Sequence, residues 1–590
     1  MKQLSMTLKP LSIAVLSACC LSAQAAPLYE LTELGVTDDA EVHNYATGGT
    51  SPQADSGLVV GMGSIVGQII FDEDDIDPDD DDNEDDDIIT DPGDDDDDDD
   101  NEAEEGITDE DLREFTQYRG TYYALYHDSL LSTNPAWTRI RVWDNEVLDD
   151  GEYRGTANDY VYGTNDSFVI TGTGSAPYYV LRWTDDDDNE FGVIQRDFDS
   201  RAFAYRVGDD EETGRVALMP GESTYGGFSE AYAISNQVLD GPAQGDMVVV
   251  GSSSVSLTEA SEQSVLECLE SELEVPEEYC HTFSAYNVEA YLWQVDSNLT
   301  EVDSLALGLM FEPSDTFVTN ASIYSRAFAV NDNGYVVGES VSYRDLEEKD
   351  EVNLNYYAAI YRHFVNGFDP DGEDVILDIT DRDEYFRSIA IDINNNNYAV
   401  GMGYRNINGV TRTKVFYAKV DEDIPTTTEI PSFFNSSAMT VKDINNDNVM
   451  VGEYEWEPRP GGVQRRMHAY AYKIGDDSFV DLNNAIECGS EWNIVEASTI
   501  RDDGVILATA TKNIPIVDND GNPIVDEDGN EVLRVVARAV ALTFNPDGEL
   551  QDCENADEAF PDHDRQGAGF GLVSLLLPMG WWMRRRYNRK

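Results

Sequence analysis

The sequence predicts an all-β protein: a seven-bladed β-propeller whose termini close one blade, with a disordered acidic insertion. Three observations predict it. A strand–turn–strand unit recurs seven times, its apolar residues alternate with period two rather than 3.6, and the first and last units carry complementary halves.

The unit is plainest in Arg326-Ala-Phe-Ala-Val-Asn-Asp-Asn-Gly-Tyr-Val-Val-Gly338, and recurs as Ser388 to Gly401 and Ala438 to Gly452. Weaker copies end at Gly61, Gly172 and Gly251, and a last one runs from Ala497 to Ala508. Each reads as a hairpin, because β-branched runs flank Asn, Asp and Gly residues that tolerate the positive φ of a tight turn. A companion strand recurs too: Ala202–Tyr205, Ala290–Trp293, Ala359–Tyr361, Val415–Ala418, His468–Tyr472 and Ala539–Leu542, with a seventh candidate at Tyr122–Tyr126. The Ala539 strand has no Val-Val-Gly strand after it, and the Gly61 copy has no companion before it. If the two share a unit, the ends meet and the ring closes, which removes exposed sheet edges. The closest repeats are 51 residues apart, near the roughly 40–50 of a four-stranded blade; the longer spacings require insertions. A β-sandwich array or another β-solenoid is the alternative arrangement.

Export is read from both ends. Residues 1–25 form a signal peptide, with Lys2 and Lys9 before an apolar run and a small-residue site that places cleavage between Ala25 and Ala26. Leu16-Ser17-Ala18-Cys19 also resembles a lipobox, whose use would leave a lipidated Cys19. The propeller is assigned to residues 26–556, a linker to 557–566, and a sorting or membrane segment to 567–590. That segment opens Gly567-Ala568-Gly569, continues as an apolar run to Met583 and ends in Arg584-Arg585-Arg586. From Gly567 it spans 17 residues, the lower limit of about 17 for crossing a bilayer, with the basic end on the cytoplasmic side. A plain inner-membrane anchor is one reading.

Cysteine usage agrees with an exported body. Cys268, Cys280, Cys488 and Cys553 remain after the leader. Four cysteines allow three connectivities; the expected pairs are Cys268 with Cys280 and Cys488 with Cys553. The spacings are not those of a zinc site.

The chain carries 118 Asp and Glu against 37 Lys and Arg, a formal charge of −81, which argues against nucleic-acid binding. Residues 71–112 hold 27 acids and no Lys or Arg. Self-repulsion and scarce apolar mass keep such a segment extended and solvated. It could also collect Ca²⁺ or Mg²⁺ on hard carboxylate oxygens. A second metal candidate is Asp518, Asp520, Asp526 and Asp528, two Asp-x-Asp-Gly turns that build ordinary hairpins equally well. Ca²⁺ is the ion either set would take, and no other cofactor is implied.

The His468-Ala469-Tyr470 strand, with Asp481-Leu482 and the Ile-Asn turns, resembles the extracellular HAF-type repeat. The tail resembles the GlyGly-CTERM sorting signals of Gram-negative bacteria, which implies cleavage by a rhomboid-type sorting protease and display at the cell surface or release. The whole chain looks like a secreted gammaproteobacterial family described as a domain of unknown function. These motifs are structural and transfer no catalytic residue.

No His-Glu-x-x-His segment, Gly-x-Ser-x-Gly elbow or phosphate loop is present, and His468 reads as a structural histidine in an aromatic strand. Carboxylate pairs arise by chance among 118 acids and identify nothing. No catalytic residue is assigned. The favoured reading is a secreted or surface-displayed, non-enzymatic propeller that binds or scaffolds a protein or polysaccharide, with segments 257–284 and 341–356 at the edge of its site. The alternatives are a carboxylate-based hydrolase or lyase of a polymer, and a structural envelope protein that binds divalent cations. Intact mass and fractionation of the native protein test the address: a body outside the cell that ends near Gly567 is expected, whereas retention of Lys590 in the membrane fraction would indicate a stable anchor.

Overall fold

A computed structural model of the chain describes residues 26–34, 58–67, 119–128, 137–143, 157–184, 190–208, 214–270, 275–310, 323–344, 354–367, 376–378, 380–456, 465–516, 523–525 and 529–550. These form a β-propeller of six four-stranded antiparallel blades. From the innermost strand outward, blade A is Asp159–Thr164, Val169–Gly174, Arg201–Arg206 and Arg215–Leu218. Blade B is Ser229–Gln237, Met247–Leu257, Tyr286–Val295 and Glu301–Gly308. Blade C is Ser325–Val330, Val336–Tyr343, Leu354–Tyr361 and Ile376–Asp378. Blade D is Arg387–Ile393, Tyr398–Ile407, Val410–Lys419 and Thr427–Glu429. Blade E is Met439–Ile444, Val449–Glu455, Met467–Lys473 and Ser478–Asp481. Blade F is Asn493–Ile500, Ile506–Pro515, Leu533–Phe544 and the N-terminal strand Tyr29–Glu33.

The expected seven blades are thus corrected to six. The first repeat supplies only a three-stranded sheet, Leu58–Gly67, Arg119–Asp128 and Trp137–Ile140, which packs on the innermost strand of blade A. Among the described residues no strand pairs with the free edge of Leu58–Gly67.

The termini do share a blade, through a different partner from the one expected. Tyr29–Glu33 pairs with Leu533–Phe544 in the register Tyr29 to Phe544. The Gly61 strand cannot take that role, because its neighbour is the Tyr122 strand, with Gly61 opposite Leu125.

A bulge explains the recurrent glycine. In every blade the innermost strand places two residues against one, as between Ala327 and Ala329 or Val441 and Asp443. The carbonyl just before the bulge then presses on the second strand. A Cβ on Gly338 would lie 1.9 Å from the Arg326 carbonyl oxygen, and one on Gly172 or Gly251 would lie 1.8 Å from the oxygen of Tyr160 or Glu230. Blade F carries Ala508 at the equivalent position, opposite Ala497, and has a second register shift between Ile494 and Glu496.

The turn after each innermost strand is equally specified. Asn331 accepts at its Oδ1 from the backbone N–H of Asn333 and Tyr335, and Asn165, Asn394 and Asn445 repeat this two- and four-residue pattern. The fourth turn residue is left-handed: Gly334 (φ 83°), Asn397 (63°), Asn448 (59°) and Gly504 (83°), with Phe168 (57°) in blade A.

Hydrophobic layers fill the spaces between consecutive sheets, so each blade is held by its neighbours. Val248, Val250 and Leu292 of blade B meet Ala327, Val330 and Ala359 of blade C; Val451 and Ala469 of blade E meet Ile494, Ala508 and Val540 of blade F. Ile140 and Val142 continue the series by packing on Val161, Ile170 and Phe203 of blade A.

The Cys268–Cys280 disulfide is present and joins two short helices, Glu259–Leu269 and Glu277–Cys280, inserted between the second and third strands of blade B. Cys488 is disulfide-bonded; Cys553 lies outside the described residues.

Gly338→Ala is expected to destabilise the propeller by about 1–3 kcal/mol, the usual cost of overpacking a filled site, seen as a lowered urea midpoint. An unchanged midpoint would show that the Arg326 carbonyl can yield.

Candidate functional site: the two ends of the channel

Antiparallel strand order gives the propeller two unlike ends. At one end lie the short turns between first and second strands; at the other emerge the connections from second to third strands, which carry the insertions.

The turn end is closed by a hydrogen-bonded belt. In blades A to E the second turn residue donates its backbone N–H to the side-chain oxygen of its counterpart in the next blade: Asp166 to Asn236 (3.0 Å), Asn236 to Asp332 (3.0 Å), Asp332 to Asn395 (2.9 Å), Asn395 to Asn446 (2.8 Å) and Asn446 to Asp502 (2.7 Å). The first turn residues add Asn165 Nδ2 to the Ser235 carbonyl, Asn331 to Asn394, Asn394 to Asn445 and Asn445 to Arg501. A polar cavity of about 70 Å³ sits inside the belt. Burial, with the charges of Asp332 and Asp502, raises the Asp166 carboxyl above its ordinary range. The acids here are bonded to asparagines and belong to the architecture.

Next to the belt lies a buried acid pair. Asp392 and Asp443 occupy the bulge position of blades D and E, where blades A to C have Gly163, Ala233 and Ala329. Asp392 Oδ2 accepts from the Ile444 N–H (2.9 Å), and Asp443 Oδ2 accepts from the Ile500 N–H (2.7 Å) and the Thr499 hydroxyl, so the pair ties blades D, E and F together. The Oδ1 atoms of both are buried and receive no hydrogen from a neighbouring donor. The two carboxyls interact directly, and a proton shared between them would satisfy both. Burial raises both carboxyls, and Asp443 is raised further by the Asp392 charge.

The insertion end presents aromatic and cationic side chains. A hairpin of blade A, Tyr179–Thr184 with Glu190–Gln195, leans on the disulfide-linked helices of blade B: Trp183 stacks on Phe191 (5.5 Å) and meets Tyr279 (5.4 Å), and Gln195 Nε2 donates to the Glu278 carbonyl (2.5 Å). Half-buried Tyr162, Tyr232 and Phe328 touch in sequence from blade A to blade C, with centroids 5.4 and 5.2 Å apart. Between blades C and D, Tyr324 stacks on Tyr356 (4.1 Å), Arg326 lies over Tyr324 (4.6 Å), and Arg387 lies near Tyr356 and Tyr404 while bonding Glu339 Oε2 (3.2 Å). Across the channel Lys442 pairs with Glu496 at 3.3 Å.

Of the residues singled out in the sequence, Ala26 accepts at its carbonyl from the Glu549 N–H (2.9 Å). Ala25, Gly567, Ala568 and Gly569, the acidic insertion 71–112, and Asp518, Asp520, Asp526 and Asp528 lie outside the described residues. Val525 and Glu531 pair antiparallel on either side of the second Asp-x-Asp-Gly. Segment 257–284 stands at the insertion end; of 341–356, residues 345–353 are not described. His468 is structural: its Nδ1 lies 2.9 Å from Asp481 Oδ2, and its ring stacks on Trp456. Burial opposes ionisation of Asp481, yet the His468 and Tyr454 contacts hold its carboxyl below the ordinary range. Among the described residues no group of three or more His, Cys, Asp or Glu could hold a metal, and no helix is long and apolar enough to cross a membrane. In the sequence Arg326 was marked only as the first residue of a repeat and Tyr356 only as the end of segment 341–356, while Tyr324 and Arg387 were not singled out. The one signal was the scarcity of basic residues, which makes two arginines facing one carboxylate notable.

The acid pair predicts an inverse pH dependence. Because the folded chain keeps a proton that the unfolded chain has released, the pair's stabilising contribution is complete below the unfolded value of about 3.9 and is lost as pH rises through the raised folded values. Asp443→Asn keeps the acceptor for Ile500 and offers Nδ2 to Asp392. Thermal melts should show the variant gaining on the parent as pH increases; an equal loss at every pH would refute proton sharing.

Comparison with known proteins places the chain. Solved structures with some similarity include a puromycin-hydrolysing peptidase of Mycobacterium tuberculosis (9% identity, TM-score 0.34, covering 87% of this chain and 57% of that one). They also include the Trypanosoma rangeli sialidase in complex with sialic acid (8%, TM-score 0.30, 89% and 60%) and YjhT (10%, TM-score 0.20, 61% and 90%). The chain thus spans less than two thirds of the length of the first two, and at these scores none bears on its chemistry. No curated protein matches it. A family model does, over residues 5–586, nearly the entire length: the chain belongs to the family described as Protein of unknown function (DUF3466).

Proposed function

We propose that this protein is an exported, non-enzymatic propeller that binds a polymeric ligand, polysaccharide or protein, across its insertion end. The observation that carries this reading is the asymmetry of the two ends. The turn end is consumed by the belt, whereas the Trp183–Tyr279 platform and the Tyr324–Tyr356 pair leave aromatic faces half-buried at the other. Half-buried aromatic rings held by packing are rigid contact surfaces that lose little entropy on binding.

Hydrolysis is the weaker reading. The acid-paired phenol on this surface, Tyr232, donates to Glu230, but burial and the Glu230 charge raise it far above its ordinary value, so it stays protonated and is a poor nucleophile. Collection of divalent cations by the acidic insertion and by Asp518, Asp520, Asp526 and Asp528 is a separate proposal; absence of heat or stabilisation with millimolar Ca²⁺ would remove it.

Binding is tested by screening the full chain against immobilised glycans and envelope proteins, then repeating with Trp183→Ala and Tyr356→Ala. A ligand that loses roughly tenfold or more affinity with either variant, as the truncation of a buried aromatic anchor costs, is expected, with melting temperature unchanged. A ligand held equally by both variants, or cleaved during the assay, would overturn the proposal.

A further inference from the structure

The cluster between blades C and D also indicates the chemical class of the ligand, on the reading that the insertion end is a binding surface. Arg326 and Glu339 are register partners on adjacent strands, and Arg387 reaches from blade D to bond the same carboxylate. Two guanidinium groups therefore share one acid. Glu339 is 1% exposed, so it is spent within the fold, while the Arg387 side chain is 36% exposed. Arg387 and Arg326 counter the burial that raises the Glu339 carboxyl.

One positive charge is left over, and it resides on Arg326. Among the described residues its guanidinium makes neither a hydrogen bond nor an ion pair within 4 Å; it lies over the Tyr324 ring, 4.6 Å from its centroid, and acts on Glu339 only through its charge. On the preceding blade Glu230 accepts from the Tyr232 hydroxyl and makes no ion pair with Arg326. A chain of net charge −81 would ordinarily give such a cation a partner; here the donors are half-buried and unused beside the stacked Tyr324 and Tyr356 rings.

We propose that this cluster binds the carboxylate of an acidic sugar, a uronate unit in a polysaccharide. The guanidinium fork matches a planar carboxylate with two parallel hydrogen bonds. The stacked Tyr324–Tyr356 pair, half-buried at its edge, provides an apolar wall for the C–H face of a pyranose, whose hydroxyls stay in solvent. Aromatic walls beside a single fork select a sugar acid over a bare anion, for which the tyrosines have no use.

The probes are oligogalacturonate, its methyl-esterified form and dextran sulfate, measured by calorimetry with the full chain, parent and Arg326→Gln. The free acid is expected to bind at least tenfold more tightly than the ester, and the variant to lose that preference, in line with removal of a charged hydrogen bond. Protection of Arg326 from phenylglyoxal by the acid but not the ester, read by peptide mass in the parent protein, provides a second readout if the variant does not fold. Equal affinity for acid and ester would overturn the uronate assignment while leaving the binding surface intact. Dextran sulfate binding as tightly per charge would reduce the cluster to a polyanion contact and overturn it as well. No binding of any of the three would overturn the assignment; a protein ligand lost on Tyr356→Ala would then still uphold the surface.

Discussion

The structure depends on a single repeated bond: a backbone N–H at the tip of one blade's turn donating to the side-chain oxygen at the tip of the next. A backbone donor in a tight turn is left without a partner unless something supplies one. From blade A to blade E the supplier is the following blade, so satisfying each of these turns fixes the position of its neighbour. The same asparagines that close a turn upon itself through Oδ1 reach forward through Nδ2, which sets both the turn and the angle between blades. The Asp392–Asp443 pair repeats this logic one layer deeper in blades D to F, where two acids replace the small residues of the other blades.

The bulge and the glycine follow from the same geometry. To bring its tip to the axis, each innermost strand takes an extra residue, and the displaced carbonyl occupies the space of a Cβ on the second strand. The glycine of the second strand is therefore a steric requirement in blades A to E, and its relaxation to alanine in blade F accompanies a change of register.

Much of this was legible in the sequence. Period-two alternation, the Asn-Asp-Asn-Gly type turns and the terminal glycines identified strands, hairpins and repeats, and the proximity of Cys268 and Cys280 foretold their pairing. Forward bonding by Asn236, Asn395 and Asn446 was not legible, because a local turn and an inter-blade link use the same letters. The blade count failed for a related reason: a Val-Val-Gly strand marks the second strand of a unit and does not guarantee the first. The site was nearly invisible. Tyr324, Arg326, Glu339, Tyr356 and Arg387 lie on four different strands or their flanks, and only strand pairing within blade C and the packing of blade D against it bring them together. Asp392 and Asp443 looked like two acids among many, although their place in the bulge register makes them the most buried of the pairs.

The pairing of Tyr29–Glu33 with Leu533–Phe544 has a temporal meaning. The first strand to emerge from the ribosome or a translocation pore must remain single until the last blade has been made. Loop-closure entropy does not forbid this, since each doubling of length adds only about 0.6 kcal/mol, but chain order does. Until closure, the outer edge of Leu533–Phe544 is an open template for another chain's strand. The clasp thus marks completion: in a chain stopped before the last blade Tyr29–Glu33 has no partner, and in a finished one each of the two strands covers the other's edge.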